Sequence, residues 1–396
     1  MRFSLPKLSI WKLLLMAVLT LGAYATFVRF ARGLGASTNL SDQFPWGIWV
    51  GFDVLCGVML AAGGFTIMAV VHIFNIERFK PIIRPTLLTA FLGYALVVVA
   101  LLFDLGRSYR IWHPMVMWNP RSVMFEVAWC VMLYTTVLAF EFAPVVFERL
   151  RLNQPLRILQ AVSIPLVILG VLLSTLHQSS LGSLYLIVPH KLYPLWYSPL
   201  LPVFFFISAI GIGLAMTMVE SGLSSRYFRR QLELPLMRDL GRILAVMLAV
   251  YTVLRFQDLY HRGALRLLTE ARFETYAFLF EVTVGLILPM ALLFNPRVRA
   301  SARGLFAAAS LVVFGFITNR LNVSLTGMMD YAGVRYVPKW TELAVTFSII
   351  AIGVTLFALA VKYLPIFPAQ EQGEPSPAAA RLLQSKPAEE VSEVVI

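Results

Sequence analysis

The residues able to do chemistry in this 396-residue chain are a few acids and a histidine set inside long apolar runs. Residues 45–72, PWGIWVGFDVLCGVMLAAGGFTIMAVVH, are long enough to cross a bilayer, yet they carry Asp53. Roughly 20 apolar residues span the hydrocarbon core, and an acid at depth costs about 2.5–3.5 kcal/mol on insertion scales. Such a residue is kept for a partner or a task. Glu126 and Glu281 stand in similar surroundings, and His177 is followed by Gln178, Ser179 and Ser180. That run joins a group titrating near neutral pH to neutral hydrogen-bonding neighbours. Nearer the opposite ends of their segments lie His72, Glu141 and Glu220. Ionisable groups at membrane depth line cavities, pair with one another or relay protons. For Asp104, Arg107, Arg255 and Asp258, close to segment ends, snorkelling or loop pairing explains their presence equally well.

One chemistry that uses this set is the reduction or oxidation of a quinone. Its head-group needs hydrogen-bond partners for two carbonyls, a proton donor or acceptor nearby and an apolar cleft for its tail. Asp53, Glu126 and His177 supply the polar groups, with Trp46, Trp49, Trp112 and Trp118 at the same level. Tryptophan is enriched at membrane interfaces in any case, so the aromatic residues mark depth more than function. Metal chemistry fits less well. The two cysteines, Cys56 and Cys130, stand alone in separate apolar segments, so the sequence predicts buried thiols and no iron–sulphur or zinc site. Bis-histidine haem needs two histidines at one depth on facing helices. His72 and His177 lie toward opposite ends of their spans, while His113, His190 and His261 fall in loops, so the sequence predicts no haem.

The elements that position these groups are membrane helices. Hydrophobic residues form 59% of the chain and charged residues 14%, with a mean hydropathy of +0.77, which excludes an ordinary soluble domain. The net charge of +12 does not point to nucleic acid, because the basic residues sit in short clusters between apolar runs. Ten spans are expected near 10–31, 46–74, 82–105, 122–147, 155–177, 198–220, 238–258, 274–294, 302–320 and 341–364. The first apolar run lacks a cleavage site and reads as an uncleaved helix. Most of the 33 lysines and arginines fall on one side of this ladder, which predicts cytoplasmic termini. These include Arg2, Lys7, Arg229, Arg230, Arg381 and Lys386. The loops of the other side, 32–45, 106–121, 178–197, 259–273 and 321–340, are longer and rich in Trp, Tyr and His, as a docking face would be. Gly57, Ala61 and Gly64 form a small-residue stripe that admits a neighbouring helix closely. Residues 366–396 are Pro-, Glu-, Ser- and Ala-rich and read as a disordered cytoplasmic tail, with a short helix near 378–384.

Three motifs resemble a known family. PWGIWVGFDVLCGVMLAAGGF at 45–65 is similar to the second helix of the NrfD/polysulphide-reductase membrane anchors. DLGRSYRIWHPMVMWNPRSVMFEVAW at 104–129 and STLHQSSLGSLYLI at 174–187 resemble the HybB-type branch, the membrane subunit of periplasmic nickel–iron hydrogenases. The resemblance covers nearly all of residues 1–365. It implies two four-helix bundles, spans two to five and six to nine, flanked by spans one and ten in a bacterial inner membrane. It also implies a quinone site (menaquinone or ubiquinone) in the first bundle near the periplasmic face and no haem. Electrons would come from a periplasmic ferredoxin-like iron–sulphur subunit attached to hydrogenase large and small subunits. Asp53, Glu126 and His177 fall on family-like motifs; Glu220 and Glu281 match more loosely. A proton path through Glu141, Glu220, His72 and Glu281, and hence proton translocation, is not settled by the resemblance. Two alternatives stand beside this one: the same anchor serving a molybdopterin, sulphur- or nitrite-linked complex, and a secondary transporter. Against the transporter, no corresponding pair of Gly/Pro-interrupted spans is visible, although Gly211 and Gly213 interrupt span six.

Overall fold

The computed structural model describes residues 10–228 and 232–367, so Arg2, Lys7, Arg229, Arg230 and the tail segment 368–396, with Arg381, Lys386 and the expected short helix, lie outside the described residues. Ten helices are long and apolar enough to cross a membrane: α1 Ile10–Arg32, α2 Trp49–Ile73, α3 Glu77–Asp104, α4 Val123–Leu150, α5 Ser163–Ser183, α6 Leu201–Tyr227, α7 Leu234–His261, α8 Phe273–Phe294, α9 Ala302–Ala332 and α10 Trp340–Tyr363. The chain is an all-α polytopic membrane protein. Only a helix satisfies its own backbone within lipid, and the described elements contain no strand.

α2, α3, α4 and α5 pack in a closed ring, each on the next, and α6, α7, α8 and α9 form a second ring. The rings meet where α5 and α2 lie against α6 and α9, while α1 and α10 pair with each other beside α3 and α2. Burial follows from this layout. Of each helix's most apolar stretch, 78% is buried in α2 but only 22% in α1 and 28% in α10, so α2 is the central post and the pair α1/α10 faces lipid.

Two small-residue contacts hold α2 in place. Its stripe of Gly57, Ala61 and Gly64 meets Val97, Gly93 and Ala90 of α3. On another face, Gly63 meets Gly213 of α6. A methyl group on Gly213 would lie 2.9 Å from the Ala62 carbonyl. Gly213, one of the two glycines that interrupt span six, is therefore a point where the two rings touch, while Gly211 faces Phe316 and Leu244 of its own ring.

α2 is not a regular helix. It turns at Ala61–Ala62, where the Ala62 N–H bonds to Met59 O rather than Val58 O. It also opens into π-helical turns at Trp49–Val54 and Ala69–Ile73, and two others occur at Thr283–Ile287 in α8 and Asn322–Thr326 in α9. Three of the four contain Asp53, His72 or Asn322, and Glu281 lies two residues before the other. Such turns widen the helix and re-aim side chains, and they recur at functional sites.

Two spans differ most from the expected bounds. Residues Asn153–Ala161 form a separate, mostly exposed helix, and α5 runs from Ser163 to Ser183, so His177 lies inside the span rather than at its end. α9 continues past residue 320 to Ala332, because its polar residues there find buried partners and need no loop.

The glycine contacts give a stability contrast. Gly213→Ala should destabilise the protein by about 1–3 kcal/mol through overpacking. Gly211→Ala, whose methyl would meet its nearest neighbour at an ordinary 3.7 Å, should be close to neutral. Thermal unfolding in detergent compares the two; equal midpoints would remove the α2–α6 contact as a tight point.

Candidate functional site

Three polar clusters lie within the helices, and the expected site residues are divided among them. The first sits between α3, α4 and α5. Ser122 caps α4, its hydroxyl accepting from Phe125 N, and Glu126 occupies the first turn, where the helix dipole favours a carboxylate. Ser180 Oγ lies 2.5 Å from Glu126 Oε1 and 2.8 Å from Leu176 O. The hydroxyl has one proton and serves one acceptor at a time, so the Glu126 carboxylate and the Leu176 carbonyl compete for it. Glu126 itself is exposed at the rim, whereas Ser180 is buried.

One turn deeper, His177 is completely buried with its ring against Tyr94, 5.6 Å between centroids, and Tyr94 meets Tyr134 edge-on at 4.6 Å. Neither nitrogen of His177 has a hydrogen-bond partner among the described residues, while the hydroxyl of Ser174 lies between those of Tyr94 and Tyr134 and interacts with both, and Gln178 interacts with Tyr94. A buried polar group left unpaired costs about 1–3 kcal/mol, so an imidazole without partners at this place is a feature that needs a reason. Gln178, next in sequence, donates to Val58 O at 3.1 Å, the carbonyl released by the turn in α2. This bond fixes the rotation of α5 and aims His177 at Tyr94.

Aromatic residues flank the rim. Trp118 packs on Trp129 and Phe125 of α4, at 5.0 and 5.9 Å, and remains largely exposed. Trp129 Nε1 donates to Pro114 O at 2.9 Å, tying the loop before α4 to its first turns. Trp46 meets Tyr185, just beyond α5, edge-on at 5.8 Å. Trp112 is exposed against its neighbour His113.

Asp53 is not part of this cluster. Its Oδ2 accepts from Thr346 of α10 at 2.7 Å, and Trp49, on the same face of α2, donates to Glu342 O at 3.2 Å. Asp53 and Val58 lie roughly 140° apart around an ideal helix, so a helix whose Val58 faces α5 turns Asp53 toward α10. The second cluster is completed by Glu342, which accepts from Tyr336 Oη at 2.5 Å, Asn39 N at 3.0 Å and Lys339 N at 2.8 Å. Burial, followed by that bond to the carboxylate, raises the Tyr336 pKa above its ordinary value and keeps it a donor.

The third cluster belongs to the second ring. Glu281 Oε1 accepts from Asn319 at 2.7 Å, and Oε2 accepts from Asn322 at 2.8 Å and Trp196 at 2.9 Å. Arg320 donates to Asn319 and Ser208 and lies flat on Phe205, 3.6 Å from its centroid. Arg255 and Asp258 act as loop clamps, donating to Leu195 O at 2.7 Å and accepting from Ser198 at 2.8 Å.

Among the remaining acids, Glu220 accepts from Thr89 at 2.7 Å beside a cleft that opens at the end opposite the loops, lined by Pro85, Ser221, Ser224 and Glu233. Glu141 leans against Gly170 of α5. His72 is exposed at the far end of α2. Cys56 and Cys130 are both buried free thiols. Among the described residues, no three His, Cys, Asp or Glu side chains gather as a metal ion requires. Sequence reasoning missed Tyr94, Tyr134 and Ser174, which look like ordinary span residues. It also placed Arg320 at a span end; the apolar run after it, LNVSLTGMM, was the available signal.

The sequence profile of the family described as "Polysulphide reductase, NrfD" matches residues 36–332. A protein of Nitratidesulfovibrio vulgaris is 38% identical over 360 residues, covering 88% of this chain and 92% of that one. An Escherichia coli protein named "Probable Ni/Fe-hydrogenase 2 b-type cytochrome subunit" is 34% identical over 351 residues, covering 87% and 89%. A Nitratidesulfovibrio vulgaris protein named "Menaquinone reductase, integral membrane subunit" is 29% identical over 401 residues, 94% of each chain.

The Glu281 cluster makes its own prediction. Both carboxylate oxygens face donors, so Glu281→Gln would set an amide N–H₂ against them and should destabilise the protein by about 1–3 kcal/mol. Glu126→Gln, at an exposed rim, should leave the unfolding midpoint unchanged. Equal stability of the two variants in a thermal melt would contradict the fixed role of Glu281.

Proposed function

The chain belongs to the polysulphide reductase family NrfD, and from that premise we propose that it is the haem-free membrane subunit of a respiratory oxidoreductase and exchanges electrons with a quinone. The observation that carries this reading is the Glu126–Ser180 pair above the buried His177. It sets a carboxyl group and a hydroxyl at the rim of an apolar helix bundle, one turn above a buried imidazole. Glu126 and Ser180 are placed to hydrogen-bond one quinone carbonyl and exchange a proton with it, while His177 is the nearest deeper group. Trp118, packed on the first turns of α4, and Trp46, packed on Tyr185 beyond α5, supply aromatic surface at the same level. Glu126 lies in the first turn of α4, close to the loop-rich face, so an electron donor docked there comes near the head-group.

The donor we propose is a ferredoxin-like iron–sulphur subunit of a hydrogen:quinone oxidoreductase, together with the hydrogenase large and small subunits. The likeness to the Escherichia coli hydrogenase subunit supports this. The likeness to the menaquinone reductase subunit supports menaquinone as substrate and favours, as a second reading, a donor other than hydrogenase. By itself the chain acts only on the quinone. The family match favours both readings over a secondary transporter. In this proposal the loop-rich end faces the periplasm of a bacterial inner membrane and both termini are cytoplasmic, following the basic residues of the opposite end.

The histidines do not fit bis-histidine haem. Measured from the loop-rich ends of their helices, His72 and His177 differ in depth by about 25 Å at 1.5 Å per residue. His113 and His190 lie in loops, and His261 ends α7. The purified subunit should therefore show no b-type band in a reduced-minus-oxidised spectrum; near-stoichiometric haem would overturn this part of the proposal. In the intact complex, Glu126→Gln and His177→Ala should each lower quinone turnover by about 100-fold or more. Hydrogen oxidation with an artificial dye should be unchanged. Wild-type quinone turnover in both variants would place the quinone elsewhere.

A further inference from the structure

We propose that the short helix Asn153–Ala161, with Arg149 and Arg151 before it, is a seat for an anionic phospholipid at the membrane surface opposite the loops. The proposal concerns the lipid held by the chain and goes beyond the quinone reading. Position, charge and backbone each point to it.

The helix joins the end of α4 at Leu150 to the start of α5 at Ser163, so it lies where two spans leave the hydrocarbon. It packs on α4 and on the start of α5. Apolar residues recur at 152, 155, 156, 159 and 162, which is one face of a helix. Pro155, Leu156 and Leu159 are half-buried, whereas Leu152, Ile158 and Val162 stay exposed, as does Ile164 in the first turn of α5. Arg157 stands on the opposite, polar side with Asn153 and Gln160. A helix with one apolar and one basic side lies in the plane of a lipid–water interface.

The side chains of Arg149, Arg151 and Arg157 are exposed and make no ion pair or hydrogen bond among the described residues. Other bases at this end are spent on the protein: Arg78 and Arg242 bind Asp239, and Lys80 binds Glu77. Glu148, the acid beside Arg149, is held by Arg84 at 2.8 Å, and no Asp or Glu follows in the sequence until Glu220. These guanidinium groups therefore lack a counter-charge at the level of the lipid head-groups. A guanidinium presents paired donors that match the oxygens of a phosphate.

α4 ends in a Schellman turn. The Leu152 N–H donates to Phe147 O at 3.0 Å, and Arg151 takes the left-handed conformation with φ 57°. Glycine fits that position, because a side chain strains the backbone there. Among the described residues, the other non-glycine with positive φ is Asn75, and asparagine visits this region readily. Folding alone selects glycine at 151. Arginine there places charge at the cost of an easy turn.

A head-group held by these arginines, with its acyl chains along Leu152, Ile158 and Ile164, ties the end of α4 to the start of α5. The competing occupant is the chain's own tail, which carries Glu371, Glu374, Glu389, Glu390 and Glu393. The tail follows Phe367 close to α4, since Arg84 donates to Pro365 O as well as binding Glu148. An acidic peptide answers the charge alone. A phospholipid answers the charge and the adjoining apolar surface together.

The test uses the full chain, purified and delipidated in detergent, then titrated with phosphatidylglycerol or phosphatidylcholine. Native mass spectrometry reads binding, and a thermal melt reads the unfolding midpoint. Phosphatidylglycerol should bind about tenfold more tightly than phosphatidylcholine and should raise the midpoint. Arg149→Gln and Arg157→Gln should each weaken its binding about fivefold. Combining both with Arg151→Gly should abolish the preference and the rise in midpoint. Arg151→Gly alone separates charge from folding: it should weaken the lipid about fivefold, while the lipid-free midpoint should not fall, because glycine relaxes the turn. Equal affinity for the two lipids in the wild-type chain, or an unchanged preference in the combined variant, overturns the proposal. Displacement of phosphatidylglycerol by an excess of inorganic phosphate also overturns it, since the site would then be one for a free anion. A preference that emerges only after the tail glutamates are replaced by Gln gives the arginines to the tail, and overturns it too.

Discussion

α2 is enclosed by α3, α5, α6, α9 and α10, in a medium that offers its backbone no hydrogen bonds. Every irregularity in it must therefore be repaired by a neighbour. The turn at Ala61–Ala62 leaves Val58 O without its helical donor, and Gln178 of α5 supplies one. The wider turn around Asp53 is tied to α10 through Thr346, and Trp49 reaches the same helix. These bonds set the rotation of α5 and α10 about the central post. With Gln178 pointing at α2, His177 has only the space beside Tyr94, and Ser180 comes to lie against Glu126.

The buried acids then separate by how far they are committed. Glu281 and Glu342 each accept three hydrogen bonds from fixed donors, so they behave as anchors for the loops around Trp196 and Tyr336. Removing such an acid leaves its partners stranded, a stability effect. Glu126 and Glu141 are different. Glu126 accepts from Ser180 at the rim, and Glu141 rests in the groove at Gly170. A site that exchanges protons needs such looseness, and the anchored clusters provide the rigid frame around it.

The ten spans were legible because hydrocarbon thickness leaves a length and composition signal that no side-chain detail obscures. Gln178 and Ser180 were legible as polar residues beside His177, and both take up specific bonds. The face each residue occupies was not legible. Asp53 belongs to the same stretch as the α5 contact, but five residues of helix turn it toward α10, and only the packing of α2 decides that rotation. Tyr94 and Tyr134 carry no signal in sequence, since a tyrosine in a span is usually an apolar ring with a satisfied hydroxyl. Arg320 was hidden for a different reason: a charged residue reads as a span end unless its partners, Asn319, Ser208 and the Phe205 ring, are known.

The central claim is that quinone binds at the loop-rich rim of α4 and α5. A photoreactive quinone analogue, cross-linked to the intact complex and mapped by mass spectrometry, tests it most directly. The account predicts adducts on peptides covering Glu126 to Trp129 and His177 to Tyr185, lost when an excess of unmodified quinone is present. Competable adducts confined to α8 and α9 around Glu281, or to α10 around Thr346, would contradict it.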